Sequence, residues 1–200
     1  MKLAVLAVQG AFIEHEKMLE KLGADCIEIR KKEDAEKAFD GLILPGGEST
    51  VMGKLIKELD LYNVLKTKID NGLPVLGTCA GLILLAEKLS NDEQVHFGTL
   101  PVTVKRNGYG RQLGSFHTDG HMAGIGRIPM TFIRAPYIES VDPAVDVLAR
   151  VADKIVAVRY KNQLGASFHP EVTADTRVHE YFLQMVKEIN CRAVHSSIEM

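Results

Sequence analysis

The feature that most constrains the fold is a repeated order of short apolar run, glycine-containing turn and amphipathic helix. Three apolar runs, at residues 3–8, 41–44 and 73–76, each stop at a turn that contains glycine. Each run is too short for a buried helix, and a segment with helical spacing follows it. This order predicts an α/β fold, with a mostly parallel sheet and helices on both faces.

The second half of the chain has a different pattern. From about residue 97, strand-like runs at 99–104, 130–134, 145–151, 155–160 and 165–168 alternate with turns, and no helix separates them. The spacing predicts a last helix over about residues 174–189. Nothing resembles a linker or a repeat, so we expect one domain over residues 1–190 and a loose tail over 191–200.

Composition excludes several classes of function. The net charge of −2 does not favour binding to nucleic acid or to an anionic membrane. No apolar run has the length of a membrane span, and the first eight residues are too short for a signal peptide. Three cysteines form no disulfide framework. These features predict a cytoplasmic protein.

A cysteine occupies the turn after the third apolar run. Gly77 and Gly81 flank Cys79 at positions i−2 and i+2, the spacing of a nucleophile elbow with sulfur in place of oxygen. Such a turn presents the side chain at a helix N-terminus and leaves the N–H of Ala80 available for an oxyanion. The alternative is a small buried cysteine in a tight turn, and the local sequence does not decide between them.

A histidine and a carboxylate lie two residues apart at the end of a later strand. His169 and Glu171 point to the same side if the chain is extended, so Glu171 can orient the imidazole while the other ring nitrogen faces a nucleophile. The alternative is a surface loop that starts a helix. In open α/β sheets, ligands bind at the carboxyl ends of strands, where this pair is predicted.

A Pro45-Gly46-Gly47 turn follows the second apolar run. Two glycines let backbone N–H groups approach an oxyanion that a side chain would obstruct. Taken alone, it is better explained as a tight turn with Ser49 as the N-cap of the next helix. Its place at a strand end, like the elbow and the histidine pair, favours a common site.

These motifs together resemble those of the class I (triad) glutamine amidotransferases. Within that class, several segments resemble the glutaminase subunits of pyridoxal 5′-phosphate synthase, the PdxT family. The resemblance covers nearly the whole chain and is carried by residues 8–11, Glu14-His15, 45–50, 77–81, 106–112, 132–136 and 167–171.

The resemblance implies a role for particular residues. Cys79 would be the nucleophile, His169 the general base and acid, and Glu171 its orienting partner, while Gly47 and Ala80 would form the oxyanion hole. No cofactor and no metal would take part. Glutamine would be held by Gly47, Glu48, Ser49, Arg106, Ile133 and Arg134. Arg106 suits a carboxylate because its fork supplies paired donors.

The resemblance also implies a partner. The ammonia released from L-glutamine would pass to a synthase subunit with the fold of a (β/α)8 barrel, in an assembly of 12 synthase and 12 glutaminase subunits. Two alternatives are the glutaminase of another pathway, such as histidine biosynthesis, and a silent domain that only binds a partner. Residues 106–112 and 132–136 argue against the first. The presence of Cys79, His169 and Glu171 argues against the second.

One stretch departs from the family pattern. The family usually has Asp-Ser-Phe-Glu where this chain has Gly114-Ser115-Phe116-His117. His117 and His121 are four residues apart and suggest a metal site, but the neighbouring glycines disfavour a helix that would present both. We therefore expect a variable surface loop over residues 117–130, without a metal.

Overall fold

The computed structural model describes residues 1–109 and 114–196, with side chains up to residue 191. Its strands are β1 (Lys2–Leu6), β2 (Asp25–Ile29), β3 (Gly41–Leu44), β4 (Val75–Thr78), β5 (Ala86–Leu89), β6 (Leu100–Lys105), β7 (Ser115–Met122), β8 (Gly126–Ile133), β9 (Tyr137–Val141), β10 (Asp146–Val151), β11 (Lys154–Tyr160) and β12 (Gln163–Ala166). Its helices are α1 (Phe12–Lys21), α2 (Lys32–Glu36), α3 (Ser49–Glu58), α4 (Leu61–Asp70), α5 (Ala80–Leu85) and α6 (Arg177–Ser196), with a 3₁₀ turn at Pro170–Val172.

The parallel part of the sheet has the strand order β2-β1-β3-β4-β12. Along β1, alternate residues face opposite helix layers. Leu3 and Val5 pack with α1 and α6, whereas Ala4 and Leu6 pack in the cluster that includes α3, α4 and α5. The α/β prediction, with helices on both faces of the sheet, is confirmed.

An antiparallel part extends the sheet beyond β12. β11, β10, β7 and β8 follow in that order, and β9 joins β11 to the β5-β6 pair. The predicted runs at residues 99–104, 130–134, 145–151, 155–160 and 165–168 correspond to β6, β8, β10, β11 and β12. Strands β5 and β9 and helix α4 were not predicted.

Residues 117–130 correct the prediction of a surface loop. β7 and β8 form a hairpin whose register runs from Ser115 opposite Ile133 to Met122 opposite Gly126. Phe116 stacks on Phe132 with ring centroids 4.5 Å apart, which ties the hairpin to the core. Gly120 does not interrupt the strand. A Cβ there would lie 2.7 Å from the sulfur of Met130, so a larger residue would require the Met130 side chain to shift.

The charged segment 30–37 contains the short helix α2, which buries Ala35. Two local predictions differ from the structure. The N-cap of α3 is Glu48 rather than Ser49, because the Glu48 carboxylate accepts hydrogen bonds from the N–H groups of Thr50 and Val51. The last helix continues to Ser196, into the predicted tail, and residues 197–200 lie outside the described residues.

No helix in the described residues has the length and hydropathy to span a membrane. Within that same part of the chain, no three His, Cys, Asp or Glu side chains are grouped so that they could hold a metal ion.

A helix–strand contact supplies a test of the fold. A Cβ on Gly81 of α5 would lie 1.9 Å from the carbonyl oxygen of Leu44 in β3, and a backbone atom cannot move aside. We expect Gly81→Ala to lower the free energy of unfolding by about 3 kcal/mol, the upper end of the usual cost of overpacking, because the obstructing atom belongs to the backbone. The matched control is Gly23→Ala, where φ is +76° and no atom lies within 4 Å of the added Cβ. Backbone strain alone should cost about 1–2 kcal/mol there. Urea denaturation measures both, and equal losses would contradict the close-packing argument.

Candidate active site

The turn at Cys79 has the strained geometry of a nucleophile elbow. Cys79 joins β4 to α5 with φ 48° and ψ −99°, an unusual backbone conformation for a residue with a side chain. Its N–H donates to the carbonyl of Ala166 at 2.8 Å. A Cβ on Gly77 would lie 2.7 Å from the carbonyl of Gly81, so the turn requires both flanking glycines. This geometry favours the elbow over an ordinary buried cysteine.

Strand register brings His169 to the same end of the sheet. Ala166 pairs with Thr78 in the parallel β12-β4 ladder, so the chain segments that follow these two residues start side by side. The His169 N–H donates to the carbonyl of Thr131 in β8 at 2.8 Å, which fixes the backbone of the histidine. Gly46 lies against the imidazole, since a Cβ there would be 2.2 Å from Cε1 of His169.

His169 and Glu171 form a short, buried hydrogen bond. Nδ1 of His169 lies 2.6 Å from Oε1 of Glu171, and the two residues are 7% and 5% exposed. The 3₁₀ turn that begins at Pro170 produces this contact, rather than the extended chain predicted from the sequence. His169 and Glu171 nevertheless form the contact that the sequence predicted.

The electrostatic environment favours a proton on His169. Burial opposes the charge, but the interactions with Cys79 and Glu171 outweigh it and raise the pKa of His169 to about 10. Burial likewise works against ionisation of Glu171, yet His15 and His169 hold its pKa below the usual range. At neutral pH the site therefore contains an imidazolium beside a carboxylate, which is the form needed to donate a proton to a leaving group.

A cavity of about 380 Å³ opens beside Cys79 and His169. The predicted substrate-binding residues all line it: Gly47, Glu48, Ser49, Arg106, Ile133 and Arg134. Ala80 and Glu171 lie outside the lining. As the first residue of α5, Ala80 has an N–H with no acceptor inside the helix, as an oxyanion donor requires.

Arg106, which is predicted to bind the substrate carboxylate, has carboxylate partners within the protein. Its Nη1 lies 2.5 Å from Oδ2 of Asp92, and its Nη2 lies 3.3 Å from Oε1 of Glu48 and 3.0 Å from Oγ1 of Thr50. Two carboxylates therefore compete with a substrate for the guanidinium. The roles of Arg106 and Glu48 in binding stay predictions, as does that of Arg134, the second cation of the lining.

The sequence did not assign a role to several residues of the cavity. Gln9, Gly10, Ala11, Ile83, Asn107 and Val172 also line it. Gln9 accepts a hydrogen bond from the N–H of Glu48 at 2.8 Å, and Ala11 donates to the carbonyl of Gly46 at 2.9 Å. The turn after β1 could have indicated Gln9, Gly10 and Ala11, because it lies at the same sheet edge as the segments that follow β3, β4 and β12. Arg111 and Gln112 of the family motif lie outside the described residues.

Comparison with known proteins shows the family of this chain. The model of the SNO glutamine amidotransferase family matches residues 5–188. This chain belongs to the SNO glutamine amidotransferase family. A relative from Desulfitobacterium hafniense (strain Y51), named pyridoxal 5′-phosphate synthase subunit PdxT, is 61% identical over 188 residues, which cover 94% of both chains. The PdxT of Streptococcus pneumoniae (strain ATCC 700669 / Spain 23F-1) is 51% identical over 191 residues, covering 94% of this chain and 99% of that one.

Two solved structures are similar to this fold. A crystal structure of a glutamine amidotransferase superposes with a TM-score of 0.88 at 43% identity, covering 92% of this chain and 98% of the other. A putative GMP synthase protein from Thermoplasma acidophilum has a TM-score of 0.69 at 20% identity, and the match covers 98% of each chain. The second likeness shows the fold alone.

Two buried histidines, His15 and His179, lie near the site. Their environment predicts how the stability of the protein depends on pH. Burial and the neighbouring His15 lower the pKa of His179 to about 3, from an ordinary value of 6.5. The unfolded chain binds a proton at this imidazole more readily than the folded chain does. The contribution of His179 to the free energy of unfolding therefore falls as the pH decreases below about 6.5. We expect a slope of up to about 1.4 kcal/mol per pH unit from it.

The test is urea denaturation between pH 7 and pH 5. The variant His179→Leu should show a shallower dependence on pH than the unaltered protein. His121→Leu, at an exposed position of the hairpin, controls for loss of a histidine as such. The same slope in His179→Leu and in the unaltered protein would refute the assignment.

Proposed function

We propose that this chain hydrolyses L-glutamine to L-glutamate and ammonia, and that it supplies the ammonia to a separate pyridoxal 5′-phosphate synthase subunit. The observation that carries the proposal is that Cys79 and His169 line one cavity, while Glu171 forms a hydrogen bond with His169 outside the lining. Two relatives at 61% and 51% identity are named as subunits of that synthase. Family membership supports the same chemistry.

The reaction proceeds in two halves. The sulfur of Cys79 attacks the side-chain carbonyl carbon of glutamine, and the negative charge on the oxygen is stabilised by the N–H groups of Gly47 and Ala80. His169 gives its proton to the departing nitrogen, so ammonia leaves and a γ-glutamyl thioester remains. His169 then takes a proton from water, which attacks the thioester and releases glutamate and the Cys79 sulfur.

The surface around the cavity supports docking of a partner. Ile133 and Val172 line the cavity and are 40% and 46% exposed. Ile13 and Val51, in the first turns of α1 and α3, are similarly exposed and follow segments that also line it. We infer that the synthase subunit covers this apolar rim (Ile13, Val51, Ile133 and Val172), which would also enclose the ammonia. Ammonia released into water becomes protonated and loses its nucleophilicity.

The same proposal includes the number of subunits in the complex and the location of the protein in the cell. A complex of 12 synthase and 12 glutaminase subunits follows from the family resemblance. A nucleophilic thiol needs reducing conditions, and Cys26 and Cys79 form no disulfide, which supports a cytoplasmic location.

The triad is tested by two substitutions. We expect Cys79→Ala to abolish glutamate release, because no sulfur remains to form the thioester. Glu171→Gln should lower kcat by about 10²–10⁴-fold, because the imidazole loses its charged partner. Glutamate release by the complex with the synthase subunit measures both. Full activity in Glu171→Gln would remove Glu171 from the triad.

Covalent labelling identifies the nucleophile separately. A glutamine analogue that carries a leaving group should modify Cys79. Cys26 is the internal control, since burial raises its pKa to about 11 and so suppresses the reactive thiolate. Peptide mass spectrometry reads out the modified residue. Labelling at Cys26 without labelling at Cys79 would contradict the proposed mechanism.

Docking is expected to activate the enzyme. The Gly46-Gly47 peptide can change orientation at little steric cost, and the hydrogen bond from Ala11 to Gly46 fixes one orientation in this structure. We predict slow or no glutamate release by the isolated chain and a large increase when the synthase subunit is added.

The apolar rim gives a matched pair of variants for this experiment. Ile13→Asp should weaken activation without unfolding the chain, because the side chain is 47% exposed. Leu59→Asp makes the same change at an exposed position at the far end of α3 and should activate normally. Equal rates with and without the synthase subunit would refute activation by docking.

A further inference from the structure

A buried polar cluster lies behind the triad, on the side away from the cavity. It consists of His15 in α1, Thr78 at the end of β4, Glu171 in the 3₁₀ turn and His179 in the first turn of α6. His15, Thr78 and His179 are 0% exposed. Burial of three polar side chains is costly unless they bond to one another, so their arrangement needs an explanation.

The distances connect the cluster to the catalytic carboxylate. Nε2 of His15 lies 3.1 Å from Oγ1 of Thr78 and 3.4 Å from Oε2 of Glu171. Nδ1 of His15 lies 2.9 Å from Nε2 of His179. Oε1 of Glu171 is occupied by His169, whereas Oε2 has no conventional hydrogen bond in the described part of the protein. His15 is thus the donor within ion-pair distance of the second carboxylate oxygen.

One tautomer of each histidine satisfies these contacts. If Nε2 of His15 carries the proton, it donates to Thr78 with Oε2 of Glu171 3.4 Å away, and Nδ1 accepts from the Nε2–H of His179. Nδ1 of His179, which has no partner, is then a bare lone pair. The opposite tautomers would place a lone pair of His15 against a carboxylate and bury an unbonded N–H of His179, and both cost free energy.

We propose that His15 is a positioning residue of the triad, whose Nε2–H donates to Thr78 and lies within ion-pair distance of Oε2 of Glu171, and that His179 fixes the tautomer of His15. The N–H dipole attracts Oε2, so that Oε1 is aimed at Nδ1 of His169. The proposal rests on the glutaminase function proposed above, because it assigns a role within that reaction. It also gives the Glu14-His15 motif a function that the sequence left open.

The charges around the cluster support a neutral donor. Burial lowers the pKa of His15, although the charge of Glu171 acts in the opposite direction. Burial and His15 together lower the pKa of His179. His15 and His169 face Glu171 from either side, while Glu14 neighbours His15 and Cys79 faces His169. A neutral His15 holds the carboxylate without competing as a cation with His169 for its charge.

The tautomers are directly measurable in the full chain. In protein labelled with ¹⁵N at histidine, long-range ¹H–¹⁵N spectra distinguish the two neutral tautomers from the cation. We expect His15 and His179 to carry their proton on Nε2 between pH 6 and pH 8, with signals assigned from the His15→Gln and His179→Gln variants. A proton on Nδ1 of His15, or a cationic His15 at pH 7, overturns the proposal whether or not the protein is active.

Kinetics of the complex with the synthase subunit test the positioning role. His15→Leu should lower kcat by about 10- to 100-fold with the KM for glutamine unchanged. The acid limb of its pH–rate profile should move to higher pH, because the ionised form of Glu171 loses the nearby N–H of His15 that stabilises it. His15→Gln keeps an N–H near the position of Nε2 and should restore most of kcat.

A structural variant of the same helix separates positioning from stability. Leu19, one turn further along α1, is 0% exposed, so Leu19→Ala should lower thermal stability and leave the pH–rate profile in place. Unaltered kcat and pH profile in His15→Leu overturn the proposal, and so does a loss that His15→Gln does not restore. The rate of the unaltered complex tests the proposed function by itself. An inactive unaltered complex would refute that function, and the tautomer measurement would still decide the proposal.

Discussion

The arrangement of the site depends on a single buried carboxylate, that of Glu171. A charge in the interior is costly unless other groups stabilise it, and here His169 bonds to one oxygen at 2.6 Å while His15 lies within ion-pair distance of the other, at 3.4 Å. Because these partners belong to separate parts of the chain, the carboxylate links α1 to the catalytic segment. Against the effect of burial, Cys79 and Glu171 together raise the pKa of His169, which favours a proton on the imidazole.

Close packing of backbone atoms supports the nucleophile in the same way. The turn at Cys79 has an unusual φ of 48°, and the surrounding contacts determine it: Gly81 abuts the carbonyl of Leu44, and Gly46 abuts the ring of His169. No side chain fits at either glycine. The strain at the nucleophile is therefore offset by the packing of the parallel sheet, which makes the elbow part of the core.

The antiparallel part of the sheet contributes to the site as well as to the fold. Thr131 in β8 fixes the backbone of His169, and Ile133, at the end of the same strand, lines the cavity. His117 in β7 lies 2.9 Å from the hydroxyl of Thr131, so the position that departs from the family pattern contacts the strand that holds the catalytic histidine. The hairpin is one wall of the active site, and its aromatic stack anchors that wall to the core.

The sequence alone determined the parallel α/β core and the place of the main chemical groups. The spacing of apolar residues that predicts a strand or a helix can be read from neighbouring residues. The geometry of a turn such as Gly77-Thr78-Cys79-Ala80-Gly81 likewise depends on residues that are adjacent in the chain. The pairing of His169 with Glu171 was predictable for the same reason, although the 3₁₀ turn that forms it was not. Strands β5 and β9 and the β7-β8 hairpin escaped prediction because tertiary pairing, rather than local propensity, decides them.

Only the tertiary structure decided what surrounds those groups. His15 and His179 are separated by 164 positions in the sequence and meet because α1 and α6 pack on the same face of the sheet. Arg106 is neutralised by Asp92 and Glu48 through contacts that no spacing rule predicts. The physical reason is that hydrogen bonds and ion pairs depend on distance in space. The sequence specifies which groups are available, and the folded chain decides which of them are close enough to interact.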